Sequence, residues 1–451
     1  MAWGTVGWDQ TGGGGGADPL VPNLVGLTEA EALTILTTTG FIAGTDTTAA
    51  SQDVASGDVI SQNPASNTIA AQGSAVDYVV STGANVASFV QYEQTVGPAS
   101  MVDLMTYNTI GAMCGDTLPN GNIAIVNAWY DDATYYIACT VVNSAMAIQS
   151  EVITTACIRS PSYSPLMCAL EGGNVAWLYV DDYNYWPWMG VFDGAGNVVM
   201  QPTGIDELER YDGGWSITAL KDGGFVTFTV NGGTRCTIHN ADGTIRKAAF
   251  LLEDEWTTSI CEAVGMADGN FIVFWASDGR YSIYEPVNGV KVSGDFEYFT
   301  LRNPRSSEQA SARLNPIDNS VCLVFTTQTD TNEEQITLTT VNADGSLRFR
   351  DKIVYTRNFV TGRFRPCRQA MLSNGSGLCI TAGPLNTARY LYFCQWDISG
   401  TVIPVDSEIS TGFGTSNGNG IRIVSTQFGD GKILLVHDDL SEGYVVLTPV
   451  A

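Results

Sequence analysis

A short turn that feeds an apolar strand recurs seven times between about residue 86 and the C-terminus, and it constrains the fold more than any other feature of the chain. The copies are Asn120-Gly121 before Ile123-Val126, Gly172-Gly173 before Val175-Val180, Asp222-Gly223 before Phe225-Val230, and Asp268-Gly269 before Phe271-Trp275. They continue with Asp318-Asn319 before Val321-Phe325, Asn374-Gly375 before Leu378-Ile380, and Asp430-Gly431 before Ile433-Val436. Successive turns lie 46 to 56 residues apart. A repeat of that length built only from short strands reads as one four-stranded blade per copy. A second turn series runs about 20 residues behind the first: Asp193 to Gly196, Asn240 to Gly243, Asn288-Gly289, Asn342 to Gly345 and Asp397 to Gly400. Asn and Asp bond their own backbone and Gly accepts positive φ, so each marks a tight reversal between neighbouring strands. The expected fold is therefore mainly β, a seven-bladed β-propeller over residues 86–451 preceded by a small α+β module.

The last repeat runs to Gly443-Tyr444-Val445-Val446-Leu447-Thr448 without a final strand, while a surplus strand, Ser88-Phe89-Val90-Gln91-Tyr92, stands before the first. Pairing one beside the other closes the ring and removes its open edges.

Charge is extreme and uneven. The formal net charge is −26, no Lys or Arg precedes Arg159, and nine of the 16 arginines lie between Arg302 and Arg368. Such an acidic surface repels nucleic acid and anionic membranes. None of the ten cysteines is spaced as Cys-x-x-Cys, and several sit in strand patterns, which reads as reduced core residues. The first residues carry no secretory-signal pattern, and no apolar run is long enough to span a bilayer.

Residues 1–20 combine Trp3 and Trp8 with a five-glycine run, Gly12 to Gly16. The glycines read as a tether and the tryptophans as anchors for a groove. Residues 21–83 read as a compact module: Thr28 and Glu31 form a capping box for a helix through about Thr39, Gly40 stops it, and strands follow at Phe41-Ile42, Val59-Ile60 and Val76-Val80. The run Val21-Pro22-x-Leu24-Val25-Gly26-Leu27-Thr28-x-Ala30-x-Ala32, then Gly57-x-Val59-Ile60-Ser61-Gln62-x-Pro64, then Gly73-Ser74-x-Val76, resembles the PASTA domain of bacterial cell-wall proteins. The resemblance implies either muropeptide contact or a spacer. With eight acidic and no basic residues in positions 1–83, a carboxylate-bearing wall peptide finds no cation there, and the spacer role is favoured.

Little catalytic chemistry is legible. The two histidines, His239 and His437, have no metal-like spacing and no triad partners, and no phosphate-binding loop precedes a helix. No cofactor, metal or catalytic set is expected. The pairs Asp131-Asp132, Asp181-Asp182 and Asp438-Asp439 read as calcium ligands, as glycosidic acid/base groups, or simply as turn residues. Aromatics crowd two equivalent turns and their flanks, with Trp129, Tyr130, Tyr135 and Tyr136 at one and Tyr179, Tyr183, Tyr185, Trp186 and Trp188 at the next. They form either a contact surface for sugar or protein or part of the blade packing. Arg357, Arg363, Arg365 and Arg368 form a basic stretch suited to a neighbouring subunit.

In architecture the chain resembles a bacteriophage virion protein on a tail or capsid surface. This implies a non-enzymatic attachment role in the virion, an arm that anchors to other virion proteins, multicopy or homo-oligomeric assembly, and host-glycan contact. The alternatives are a bacterial surface or secreted glycan-binding propeller and a glycan-cleaving enzyme.

Overall fold

The computed structural model describes residues 18–49, 54, 57–81, 92–96, 113–131, 134–155, 165–180, 187–205, 215–230, 233–253, 260–275, 279–297, 310–328, 333–358, 367–372, 374–382, 390–403, 408–410, 423–427, 429–437 and 444–449. The chain divides into two compact units, Met1–Val86 and Ala87–Ala451.

In the first unit the helix Glu29–Thr39 opens on the expected capping box: the Thr28 side chain accepts from the Glu31 backbone, and the Glu31 carboxylate accepts from the Thr28 backbone. It ends at Gly40, which takes φ 81° and donates back to Leu36 and Thr37. Three strands follow, Ile42–Ala49, Val59–Asn63 and Ala75–Ser81, with the last in the middle, parallel to the first and antiparallel to the second. Ala32 and Leu36 of the helix pack with Val21, Leu24, Phe41, Val59, Val76 and Tyr78 into one core.

The second unit is mainly β. Among the described residues it holds seven antiparallel sheets, six of them four-stranded. The first contains Met113–Thr117, Ile123–Asp131, Thr134–Val142 and Ile148–Thr155, paired in chain order. The second to fifth repeat that meander, starting at Leu166–Ala169, Trp215–Ala219, Ile260–Gly265 and Ala310–Leu314. The sixth starts at Cys367–Met371, and its outer edge is split, Val402–Ile403 and Glu408–Ser410 both pairing with Tyr390–Trp396. The seventh takes three strands from the C-terminal end, Ile423–Gln427, Ile433–His437 and Tyr444–Pro449, and one, Tyr92–Val96, from the start of the unit. The closing strand thus lies just beyond the expected Phe89–Tyr92, which except for Tyr92 is outside the described residues.

Each turn that names the repeat places its key residue at positive φ: Gly121, Gly173, Gly223, Gly269, Asn319, Gly375 and Gly431 lie between 57° and 94°. An L side chain with a branched Cβ is strained there, which is why Gly or Asn recurs. The strand after each turn is a near-continuous apolar run because it is buried on both faces: Phe271, Ile272, Val273 and Phe274 are all 0% exposed. Their side chains join neighbouring sheets into shared cores. Val126 and Trp177 pack the first sheet on the second, Phe228 and Phe271 the third on the fourth, and Phe274 and Leu323 the fourth on the fifth. The third and fifth sheets share a further device. Arg246 pairs with Asp222 and donates to Asn240, and Arg348 pairs with Asp318 at 2.5 Å and donates to Asn342, so one guanidinium ties the two turns of a sheet together.

The opening strands of successive sheets neighbour one another in order, and the seventh neighbours the first. There Thr117 Oγ1 donates to the Gln427 carbonyl at 2.7 Å and the Gly429 amide to the Gly121 carbonyl at 2.8 Å. This brings together side chains from strands more than 250 residues apart.

Candidate functional site

A cavity of about 310 Å³ lies where the opening strands of the first six sheets converge. Position within the repeat decides which side chains reach it. Cys114, Ser216, Glu262 and Arg368 each stand seven residues ahead of their sheet's turn glycine, and pair across to Val126, Phe228, Phe274 and Ile380 of the following strand. All four line the cavity. Asp116 and Arg313 line it from positions closer to their own turns.

The charged groups differ in what holds them. Asp116 is committed to the frame: one carboxylate oxygen accepts from the Ala169 amide of the next sheet at 3.0 Å, the other from the Thr117 amide at 2.9 Å. Arg313 Nη1 donates to the Ala312 carbonyl at 2.9 Å, and Arg368 Nη1 to the Ala310 carbonyl at 3.1 Å. Beside Arg368, Gln369 donates to the Ser311 and Cys322 carbonyls, which fixes the sixth sheet against the fifth. Glu262 is deeply enclosed by protein, yet its side chain reaches the cavity and stays partly accessible. Desolvation lifts its carboxyl to about 7, and the charges of Arg313 and Arg368 oppose that rise. At neutral pH such a group exists in both protonation states, which suits it to give and to take a proton. Two guanidinium groups add a preference for an anionic ligand, notable on a chain of net charge −26.

Cys114 and Cys168 also line the cavity. Burial pushes both thiols well above their ordinary range; Cys139 and Asp116 push Cys114 further up against the opposing charge of Arg368, and Asp116 and Cys114 push Cys168 further up. They stay protonated and act as small apolar residues rather than as nucleophiles. The seven described cysteines Cys114, Cys139, Cys168, Cys236, Cys322, Cys379 and Cys394 are free thiols. Among the described residues no cluster of three or more His, Cys, Asp or Glu side chains is placed to hold a metal ion, and no helix is long and apolar enough to cross a membrane.

The remaining candidates fall elsewhere. His239 is 1% exposed and stacks on Phe225 at 4.6 Å between ring centres. The Gly243 carbonyl can only accept, so Nδ1 carries the proton toward it, and Nε2 accepts from Thr227 Oγ1 at 3.0 Å. Desolvation lowers this imidazole to about 4. Trp188 packs against the shared core of the first two sheets and pairs across to Tyr179, with its indole nitrogen buried. Trp129 and Tyr130 lie on strand Ile123–Asp131 opposite Tyr136 and Tyr135, and Arg357 lies on Leu347–Asn358 opposite Glu334. Trp3, Trp8, Tyr183, Tyr185, Trp186, Arg363, Arg365, Asp132 and the pairs Asp181-Asp182 and Asp438-Asp439 lie outside the described residues. Of the residues singled out in the sequence, the cavity therefore takes Arg368 and Cys114 with Cys168; Glu262, Arg313 and Asp116 are not among them. The signal that finds Glu262 is a charged residue seven positions ahead of a turn glycine, in a strand otherwise apolar.

Residues 19–82 match the PASTA domain family, so this chain carries a PASTA domain. No curated protein sequence matches the chain. Among solved structures, the chain is similar to virginiamycin B lyase from Staphylococcus aureus, at 13% identity and TM-score 0.49 over 80% of this chain and all of the other. It is similar to the β-propeller domain of Cps50 (Swd1) from Myceliophteria thermophila, at 9% identity and TM-score 0.48 over 79% of this chain and all of the other. A puromycin hydrolase matches at 12% identity and TM-score 0.40, over 77% of this chain and 51% of its own. The chain is thus mainly β and resembles distant β-propeller proteins. These findings correct the expectation of a non-enzymatic bacteriophage attachment protein: a lyase and a hydrolase stand among the structures it resembles. Likeness at such low identity concerns the fold and transfers no activity to this chain.

Proposed function

We propose that the second unit is a seven-bladed β-propeller whose axial cavity is an enzyme active site, with Glu262 as general acid–base and Arg313 and Arg368 as the groups that bind an anionic substrate. One observation carries the reading: among the described residues, one uncommitted carboxylate and two guanidinium groups line a cavity of about 310 Å³, at the small end of ligand pockets. Nothing in the packing of the sheets needs a carboxylate at Glu262, because the equivalent positions hold Cys114, Ser216 and Arg368. Burying an ionisable group costs stability that an apolar residue does not cost. A group kept at such a cost, in a cleft, is the usual mark of acid–base work. The substrate class is an acidic glycan, and the PASTA domain serves as a spacer.

The test is cleavage of acidic against neutral oligosaccharides by wild type and Glu262→Gln. A general acid–base contributes roughly 10²- to 10⁴-fold, so Glu262→Gln is expected to lose at least a hundredfold in turnover while binding of the acidic sugar persists. Unchanged turnover in Glu262→Gln would place the chemistry elsewhere.

A further inference from the structure

We propose that the reaction in this cavity is a β-elimination on a uronic-acid residue, in which Arg313 and Arg368 hold the substrate carboxylate and Glu262 moves the proton; the inference rests on the acid–base reading of the site given above. Three observations favour elimination over hydrolysis. First, hydrolysis of a glycosidic bond ordinarily takes two carboxyl groups flanking the bond. Here Asp116 already spends both oxygens on the Ala169 and Thr117 amides, which among the described residues lining the cavity leaves Glu262 as the carboxylate free to act. Second, the cations fit a substrate carboxylate. Neutralising that group acidifies the neighbouring C–H and stabilises the charge that develops on the carboxylate when the proton leaves. Third, the described residues of the cavity wall offer serine, threonine, carboxylate and guanidinium groups and include no aromatic ring. Recognition there depends on charge and hydrogen bonds rather than on stacking a sugar face.

The step balances without water, metal or redox partner. The Glu262 carboxylate takes the proton from the carbon α to the substrate carboxylate. That electron pair forms the double bond to the β carbon, the bond from the β carbon to the glycosidic oxygen breaks, and the departing oxygen takes the proton back from Glu262. One C–O bond is lost, one C=C bond is gained, and Glu262 returns to its starting state. A glutamic acid poised between its two protonation states can serve both halves of the cycle.

The experiment offers the full-length protein three probes, oligogalacturonate, oligomannuronate and hyaluronan fragments, and follows two products together: new reducing ends and the ultraviolet absorbance of a conjugated alkene. The expected result is that both rise in equal amounts on at least one probe. Glu262→Gln should lose at least a hundredfold, and Arg313→Gln and Arg368→Gln should raise KM for the acidic probe tenfold or more, with Arg368→Lys partly restoring it. Circular dichroism of each variant separates lost chemistry from lost fold. New reducing ends without the alkene would overturn elimination in favour of hydrolysis while leaving Glu262 as acid–base. No cleavage of any probe would also overturn it. In that case galacturonate-induced shifts at the Glu262 side chain show separately whether the cavity is a sugar site at all.

Discussion

Glu262→Gln should make the second unit more stable at high pH and leave it unchanged at low pH. The native carboxyl titrates at about 7, against an ordinary value of 4.5. The folded state therefore holds its proton more tightly than the unfolded state does. Below about pH 4.5 both states are protonated and the residue costs nothing of this kind. As pH rises through 4.5 the unfolded chain releases its proton first, and stability falls until the native group also ionises near 7. At 1.36 kcal/mol per unit the full penalty is roughly 3 kcal/mol. Glutamine has nearly the same shape and does not ionise, so it should recover most of that above pH 8. For a unit of this size, at an unfolding entropy of about 2.1 cal/mol/K per residue, the gain corresponds to a rise of roughly 4 °C in Tm. Differential scanning calorimetry of both proteins at pH 4, 6 and 8.5 reads it directly. A Tm difference that stays constant across those pH values would refute the reasoning, since a plain packing change has no reason to follow the ionisation of one carboxyl.

Two other outcomes follow from groups away from the cavity. His239 titrates at about 4 in the folded state against 6.5 ordinarily, so its contribution is intact above pH 6.5 and is lost as pH falls toward 4, by roughly 3 kcal/mol in all. Denaturant titrations should show that acid loss in wild type and a flatter profile in His239→Gln, and equal slopes would contradict it. Deleting residues 1–96 removes the strand that pairs with Tyr444–Pro449 and exposes a sheet edge; light scattering should show aggregation that deletion of residues 1–83 does not cause.

The parts of the fold legible in the sequence are those where one residue type answers one backbone demand. The seven first-series turns could be found because their αL positions call for Gly or Asn, and Asn319 fills that role where glycine is missing. The second series is legible in the sequence only from Asp193 onward. In the first sheet the same reversal is made by Asn143, whose side chain accepts from the Ala145 and Ala147 amides, with Met146 at φ 61°. A methionine in that conformation gives no sequence cue. The sequence pattern points a few residues too early for the closing strand because Tyr92–Val96 reads Tyr-Glu-Gln-Thr-Val, too polar to stand out beside the apolar Ser88–Tyr92 run. The cavity was less legible still. Glu262 sits in Ile-Cys-Glu-Ala-Val-Gly, where one acidic residue looks like an exposed strand position. Only the convergence of opening strands from six sheets, a tertiary fact, sets it beside Arg313 and Arg368. Asp116 and Glu262 look alike in sequence, and it is the Ala169 amide that makes the first a structural clamp.

The central question is whether the cavity receives an acidic sugar at Glu262. Protein labelled with 13C at the glutamate δ-carbon can be titrated with galacturonate near pH 7 and compared with Glu262→Gln, which identifies the resonance by its loss. The predicted result is a Glu262 signal that titrates near 7 in the free protein and moves progressively as galacturonate is added. A signal that titrates near the ordinary glutamate value and stays still at saturating galacturonate would contradict it.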